Sequence, residues 1–316
     1  MSTGLEAWYA SWGTKPESRW DLVLAHIRTA RPTTRLWFDT IMPLTVMLVL
    51  TRGALPVRNA MLFLLTMNLV HLAATFFNDV QDAAIDRRSS EVLRRTRPIA
   101  TGVIPRRLAL LEAGIITVVA VFVSALIGWK LALLCVVISG LIALHELPPL
   151  RTQSRPILSP VAGVIGLAAI LLSIVTAAGV GVSGRSLSFL IYVAIYMGLA
   201  EMLVKDIRDV DSDAAGGKTT TAVRYGPARA TRIAAVAYLV AAVPWAWFVV
   251  TYPVAYRPAL WVGSVVLGAW IVATAAAARR LQQGFAKEIC RFLHRGSVTV
   301  FTLVNLTVIA AVSWPW

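Results

Sequence analysis

The chain is poor in charge and poorest in acid. Only 15% of its 316 residues are charged, and only 16 are Asp or Glu. A soluble globular domain carries roughly 25% charged residues, so a water-soluble enzyme is a poor fit. Cysteine is nearly absent. Cys135 and Cys290 both sit in apolar contexts far apart in the chain, which excludes a disulfide framework and a Cys-based metal site. The four histidines, His26, His71, His145 and His294, are scattered and give no His-rich metal motif. Residues 1–35 have tryptophans and arginines but no apolar h-region, so they do not read as a signal peptide. The apolar runs also lack the polar alternation of a membrane β-barrel.

What the chain has instead is hydrocarbon. It is 58% hydrophobic, with a mean hydropathy of +0.71. Nine apolar runs can be counted, at 36–51, 59–78, 108–128, 131–145, 157–179, 187–204, 230–252, 259–278 and 297–313. Bilayer spans need about 20 such residues, and the run at 131–145 is marginal. Ser18 to Ala30 could form a short amphipathic helix at the interface, anchored by Trp20. The net charge is +14, and 25 of the 30 Lys and Arg fall in segments that would lie inside if the N-terminus is inside. That asymmetry follows the positive-inside rule. It explains the basic residues without nucleic acid. The expectation is an all-α, multi-pass protein of the cell membrane with about nine transmembrane helices. Residues 1–35 would be a cytoplasmic or interfacial segment and 36–316 one membrane-embedded domain.

The few acids are concentrated. Seven of the 16 lie in Asn78-Asp79-Val80-Gln81-Asp82-Ala83-Ala84-Ile85-Asp86 and in Asp206-Ile207-Arg208-Asp209-Val210-Asp211-Ser212-Asp213. Both stretches contain D-x-x-D-x-x-x-D. At 100° per residue, offsets of three and seven fall at about −60° and −20°, so each triplet shares one helix face. Asp211 falls at about 140°, off that face. Each motif follows an apolar run and would extend a membrane helix at its cytoplasmic end. Like charges on one face repel, and hard divalent cations would remove that cost. Mg2+ takes carboxylates and phosphate oxygens together, so two facing clusters can clamp a diphosphate. The rival reading is a pair of solvated acidic loops. It has to place two matching copies at the same membrane face of a chain this poor in acid.

Basic residues flank both motifs, and Arg and Lys suit phosphate oxygens. For most of them orientation charge on inside loops is sufficient. Arg97, beside Pro98, and Lys205, beside Asp206, are the exceptions, and Arg151 is the third candidate for holding a diphosphate.

These stretches resemble the UbiA superfamily of intramembrane prenyltransferases. The likeness rests on N-D-x-x-D-x-x-x-D from Asn78 and R-P-I-A-T-G-x-I-P from Arg97. It continues in D-x-x-D-x-x-x-D from Asp206 and G-K-x-T-x-A-V-R-x-G from Gly217. The resemblance implies a nine-helix bundle around a central cavity with a cytoplasmic-side cap. It implies Mg2+-dependent ionisation of a prenyl diphosphate and transfer of the prenyl group to a lipophilic, usually aromatic, acceptor in the lipid bilayer. Asn78, Asp79, Asp82 and Asp86 would serve one side of the metal–diphosphate site, with the role of Asp79 open between ligand and support. Asp206, Asp209 and Asp213 would serve the other. Trp37, Phe38, Phe76, Phe77, Tyr192 and Tyr196 could stabilise a carbocation, although a core or lipid-facing role is the better account of each.

One departure stands out. Around the family's P-P-x-R core a Tyr and, eight residues on, a Lys are usual. Here Pro148-Pro149-Leu150-Arg151 is flanked by His145 and Gln153. His145 could act as a base, stabilise charge or cap a helix. Two alternatives to a transferase stay open. One is a terpene cyclase on the same scaffold, which quenches the cation within its own chain. The other is a membrane transporter using the acids for ions, which would call for charges at mid-span.

Overall fold

The computed structural model describes residues 19–32, 36–88, 95–147, 149–253, 257–284 and 286–313. Ser18, at the start of the expected interfacial helix, and Pro148, of the Pro148-Pro149-Leu150-Arg151 core, lie outside them, as do Trp8, Trp12, Lys15, Arg35, Arg94 and Trp316. Among the described residues every regular element is helical. Helix α1 is Arg19–Ala30, and a π-helical turn, Leu36–Ile41, leads into α2, Met42–Thr51. Then follow α3, Val57–Arg88; the short α4, Pro98–Thr101; α5, Arg106–Ala125; α6, Trp129–Glu146; and α7, Leu158–Ala178. Helix α8, Gly184–Arg208, contains a π-helical stretch, Ala194–Glu201. The chain continues through α9, Val210–Ala215, and α10, Thr221–Tyr225. It closes with α11, Pro227–Thr251; α12, Arg257–Gln283; and α13, Lys287–Ser313.

Eight of these helices, α3, α5 to α8 and α11 to α13, are long and apolar enough to cross a bilayer. The ninth expected span is shorter. Its apolar helix is Phe38–Thr51, and at 1.5 Å per residue it reaches about 21 Å, against a hydrocarbon core of about 30 Å. The marginal run at 131–145 gains a turn and becomes α6. Large side chains such as Val243, Val265 and Val272 stand exposed on the outer faces of the bundle. In a chain of this hydropathy these faces meet lipid, and the protein is a multi-pass membrane protein.

Helix α1 forms where expected. Trp20, Val23, Leu24 and Ile27 make an exposed apolar stripe at i, i+3, i+4 and i+7, as an interfacial helix requires. Its opposite face is tied down. His26 Nε2 lies 3.0 Å from Glu112 of α5, and Arg28 donates to the Thr96 carbonyl at 3.1 Å.

Inside, α3 packs along α5, and α11, α12 and α13 pack as successive antiparallel neighbours. The core between α8, α11 and α13 is aromatic. Phe189, Tyr192, Tyr196, Tyr238, Trp245 and Phe248 are fully buried, with Phe301 against them. The hydroxyl of Tyr196 donates to the Ser297 carbonyl at 2.9 Å, which meets the need of a buried phenol for a partner. Tyr192 and Tyr196 are thus core residues. Phe76 is buried against the α1 and α5 side of α3, while Phe38 and Phe77 are half-buried.

The π-helical part of α8 lies very close to α7. A Cβ on Gly198 would stand 2.8 Å from Val164 Cα, and one on Gly163 would stand 2.6 Å from the Gly198 carbonyl oxygen. Small residues are what allow two membrane helices to approach so closely. Gly198→Ala should therefore lower the thermal midpoint in detergent by several degrees. Gly268→Ala on α12, where a Cβ meets nothing within 4 Å, should leave it unchanged or raise it, because Ala is the better helix former by about 1 kcal/mol. Equal midpoints for the two variants would contradict the close contact.

Candidate active site

The first motif occupies the last turns of α3, which continues well past the apolar run that begins it. Asp79, Asp82 and Asp86 are all buried, and each is held by cations from elsewhere. Arg97 Nη1 donates to Asp79 Oδ1 at 3.2 Å and to Asp86 Oδ2 at 2.8 Å. Arg31 reaches Asp79 from the end of α1. Partial burial pulls its guanidinium below the ordinary range, while Asp79 pushes it back up. Arg151 approaches Asp82 Oδ1 at 3.5 Å. The backbone is arranged to deliver these cations. Arg97 is extended because Pro98 follows it at the first position of α4. Arg31 and Arg151 are left-handed, with φ of 47° and 34°. For a residue with a Cβ that costs about 1–2 kcal/mol, and such strain is kept where the surroundings enforce it.

The second motif differs from the straight helix read in the sequence. Helix α8 ends at Arg208 and α9 begins at Val210. Asp209 sits between them at φ −95°, ψ 5°. Hydrogen bonds still cross the junction, from Asp209 N to the Lys205 carbonyl and from Asp213 N to the Asp209 carbonyl. The Ser212 hydroxyl competes for that same Asp209 oxygen at 2.8 Å, as short polar side chains do where helices bend. The three aspartates share a buried face despite the bend. Asp206, Asp209 and Asp213 are buried, while the Asp211 side chain is 55% exposed and pairs with Lys287 at 3.8 Å.

Asp209 is held through a relay. The Arg208 guanidinium forks onto its two oxygens at 2.7 and 2.6 Å and donates a third bond to His294 Nε2 at 2.7 Å. Since Nε2 accepts, Nδ1 carries the proton and meets Glu201 Oε1 at 3.1 Å. Glu201 is buried at the end of the π-helical stretch.

The two motifs meet at Lys218. Its ammonium is buried, 3.1 Å from Asp82 Oδ2, 3.9 Å from Asp213 Oδ1 and 3.4 Å from Gln153 Oε1. The turn that delivers it contains Gly217 at φ 71°. It also packs Gly216 so tightly on Ile85 of α3 that a Cβ would lie 2.9 Å away. Thr219 bonds the Ser154 carbonyl through both its amide and its hydroxyl, joining this turn to the segment carrying Arg151 and Gln153. Glu146, buried at the end of α6, accepts from Asn78 Nδ2 at 2.8 Å and from Gln153. His145 Nδ1 lies 2.8 Å from the Thr152 hydroxyl. Lys205 is exposed, close enough for its charge to act on His145, Glu146 and Asp206.

All the predicted site residues therefore lie around one end of the bundle, on α3, α6, α8, α9 and the segments between them. Among the described residues no three His, Cys, Asp or Glu groups stand close enough to hold a metal by themselves. The donor set nevertheless suits a hard cation. Asp82 Oδ1 and Asp206 Oδ2 are buried carboxylate oxygens that accept no hydrogen bond from the described residues, and Mg2+ commonly completes its shell with phosphate oxygens and water. Lys218, Glu146, Glu201 and His294 were not singled out from the sequence, and Gln153 stood out there only as a departure from the usual Lys. Glu201, an acid inside an apolar run, carried a usable signal. Lys218 stood in the G-K motif but was read with the other flanking bases. His294 carried none, being 86 residues from Arg208.

Removing the ammonium should leave two buried carboxylates facing each other. Lys218→Met should destabilise the protein by about 3 kcal/mol, the usual scale for orphaning a buried charge. Adding Asp82→Asn should return a large part of it. Thermal midpoints of the two single variants and the double variant test this, and strictly additive losses would contradict the bridge.

The same fold occurs in solved proteins. A UbiA homolog from Archaeoglobus fulgidus, in a structure bound to GPP and Mg2+, matches with a TM-score of 0.67 at 18% identity, over 90% of this chain and 99% of that one. A digeranylgeranylglyceryl phosphate synthase matches at 0.66 and 15% identity, over 93% and 99%. An apo UbiA homolog from Aeropyrum pernix K1 matches at 0.62 and 17%, over 86% and 96%. At these identities the likeness is one of fold. Sequence comparison with curated proteins finds no match. Residues 40–296 match the UbiA prenyltransferase family, and with most of its length matched the chain belongs to that family.

Proposed function

We propose that this protein ionises a prenyl diphosphate at the carboxylate-rich end of its bundle. It transfers the prenyl group, within the membrane, to a small lipophilic acceptor, most naturally an aromatic ring. The observation that carries this reading is the meeting of both aspartate motifs at Lys218, where Asp82 and Asp213 approach one ammonium from opposite elements. Solvated acidic loops would be exposed and separate.

The residues divide the work. Asp82, Asp86, Asp206, Asp209 and Asp213 hold Mg2+, with Asn78 and Asp79 supporting them. Bound there, Mg2+ neutralises the departing diphosphate and lowers the barrier to breaking the allylic C–O bond. Arg97 and Arg151 exchange part of their carboxylate contacts for phosphate oxygens. Lys205 is exposed and takes a phosphate oxygen from the solvent side. Lys218 moves between carboxylate and phosphate. The Arg208–His294–Glu201 relay keeps the Asp209 carboxylate in one orientation. The Thr152 bond supports the capping role for His145, which fixes the turn carrying Arg151 and Gln153. The prenyl tail runs among the helices below, where apolar walls exclude water from the cation. The charge asymmetry puts this end and the N-terminus on the cytoplasmic side. Residues 1–35 form the interfacial segment, and 36–316 act as one domain.

The purified protein with C10, C15 or C20 prenyl diphosphates and Mg2+ should release diphosphate from at least one of them and join its prenyl group to an added aromatic acceptor. A cyclic hydrocarbon or terpene alcohol formed equally well without acceptor would replace the transferase by the cyclase. Release from none of the three would overturn both.

A further inference from the structure

We infer that Asp39 and His71 form the base that takes the proton released when the reaction ends. The inference rests on the reading above that a prenyl cation is formed. His71 Nδ1 lies 2.8 Å from the Asp39 carboxylate. Asp39 belongs to the π-helical turn Leu36–Ile41, and His71 stands in the apolar interior of α3, well short of the aspartate motif. Ionisable residues at such depth are costly, and those that persist mark function.

Position on the helix supplies the second argument. His71, Thr75, Asn78 and Asp82 are four, seven and eleven residues apart from the first, which places all four within about 60° of one another. The direction of that stripe is known from its upper members, because Asn78 bonds Glu146 and Asp82 bonds Lys218. His71 lies on the same stripe, about 10 Å below Asn78 along the axis. A diphosphate held at the carboxylates would send its prenyl chain down this face.

The pair is also asymmetric in the useful sense. The Asp39 side chain is 5% exposed and that of His71 38%. Asp39 holds Nδ1–H, which leaves the Nε2 lone pair free of any partner among the described residues. A buried carboxylate that orients an accessible imidazole and stabilises its charged form is the arrangement of a general base. His145 differs, since it sits level with the carboxylates and is bonded to Thr152.

In the proposed step the prenyl C1 has already bonded to an acceptor ring carbon, and the positive charge lies on that ring. The C–H bond at the attacked carbon breaks, its electron pair restores the aromatic ring, and the proton passes to His71 Nε2. Asp39 compensates the imidazolium, which then returns the proton to water. In a cyclase the same transfer breaks the C–H bond next to the final cation, and its electrons form a C=C bond.

His71→Gln and Asp39→Asn test the base. Diphosphate release and organic product are measured in the same reactions, per folded molecule, with thermal midpoints recorded. Both variants should release diphosphate within about threefold of the parent. His71→Gln should make on the order of 100-fold less joined product, because the ring cation that keeps its proton reverts by breaking the new C–C bond, and water captures the released prenyl cation as prenyl alcohol. Asp39→Asn keeps a hydrogen-bond acceptor but loses the charge, and should fall between. Unchanged products and rates in both variants would overturn the base. So would joint loss of release and product at an unchanged midpoint, or a lowered midpoint with product per folded molecule intact. A parent that releases no diphosphate contradicts the proposed function and the base with it. A parent that turns over, beside variants that match it, contradicts the base alone.

Discussion

Six buried aspartates at one end of a hydrophobic bundle can coexist only if cations stand among them. The contact on which the rest of that end depends is the ammonium of Lys218, set between Asp82 of α3 and Asp213 of α9. Burying a carboxylate without a partner costs several kcal/mol, so each has to be paired or coordinated. Lys218 does this for both motifs at once and fixes their distance from each other. The Gly216–Gly217 turn and the Thr219–Ser154 contacts exist to bring that side chain to the site. The pairs are exchangeable by nature. Guanidinium and ammonium groups bind phosphate through the same donors they offer carboxylates, so an arriving diphosphate can take over contacts already made.

The cost of this arrangement is visible in the backbone. Arg31 and Arg151 lie in the left-handed region without being glycine, and α8 bends at Asp209. All three irregularities sit beside the first or second motif. They set charged groups where regular helices would not carry them. The aromatic core between α8, α11 and α13 and the Gly163–Gly198 contact hold the helices rigidly enough to sustain that strain.

Much of this was legible in the sequence, for reasons that can be named. Apolar length revealed the spans, and failed only where Phe38–Thr51 is too short to count as one. The seven-residue spacing revealed the buried face of each motif and excluded Asp211, because helical periodicity is set by the local backbone. The bend at Asp209 was not legible, since it depends on Ser212 and on packing against α10. Nor was the Glu201–His294–Arg208 relay, whose members meet from 93 and 86 residues apart. Asp39 and His71 were hidden by averaging. One acid and one imidazole barely change the hydropathy of the runs that contain them, and only the tertiary contact shows that they are a pair.

Metal binding reports whether the two distant motifs form one metal–diphosphate site. Mn2+ can replace Mg2+ as a probe, with its binding followed by electron paramagnetic resonance in the presence of an unreactive C10 prenyl thiodiphosphate. Asp82→Asn in the first motif and Asp209→Asn in the second should each weaken Mn2+ binding at least tenfold, while Asp211→Asn leaves it within twofold. Binding that survives the loss of either motif, or that falls as far with Asp211→Asn, would contradict a shared site.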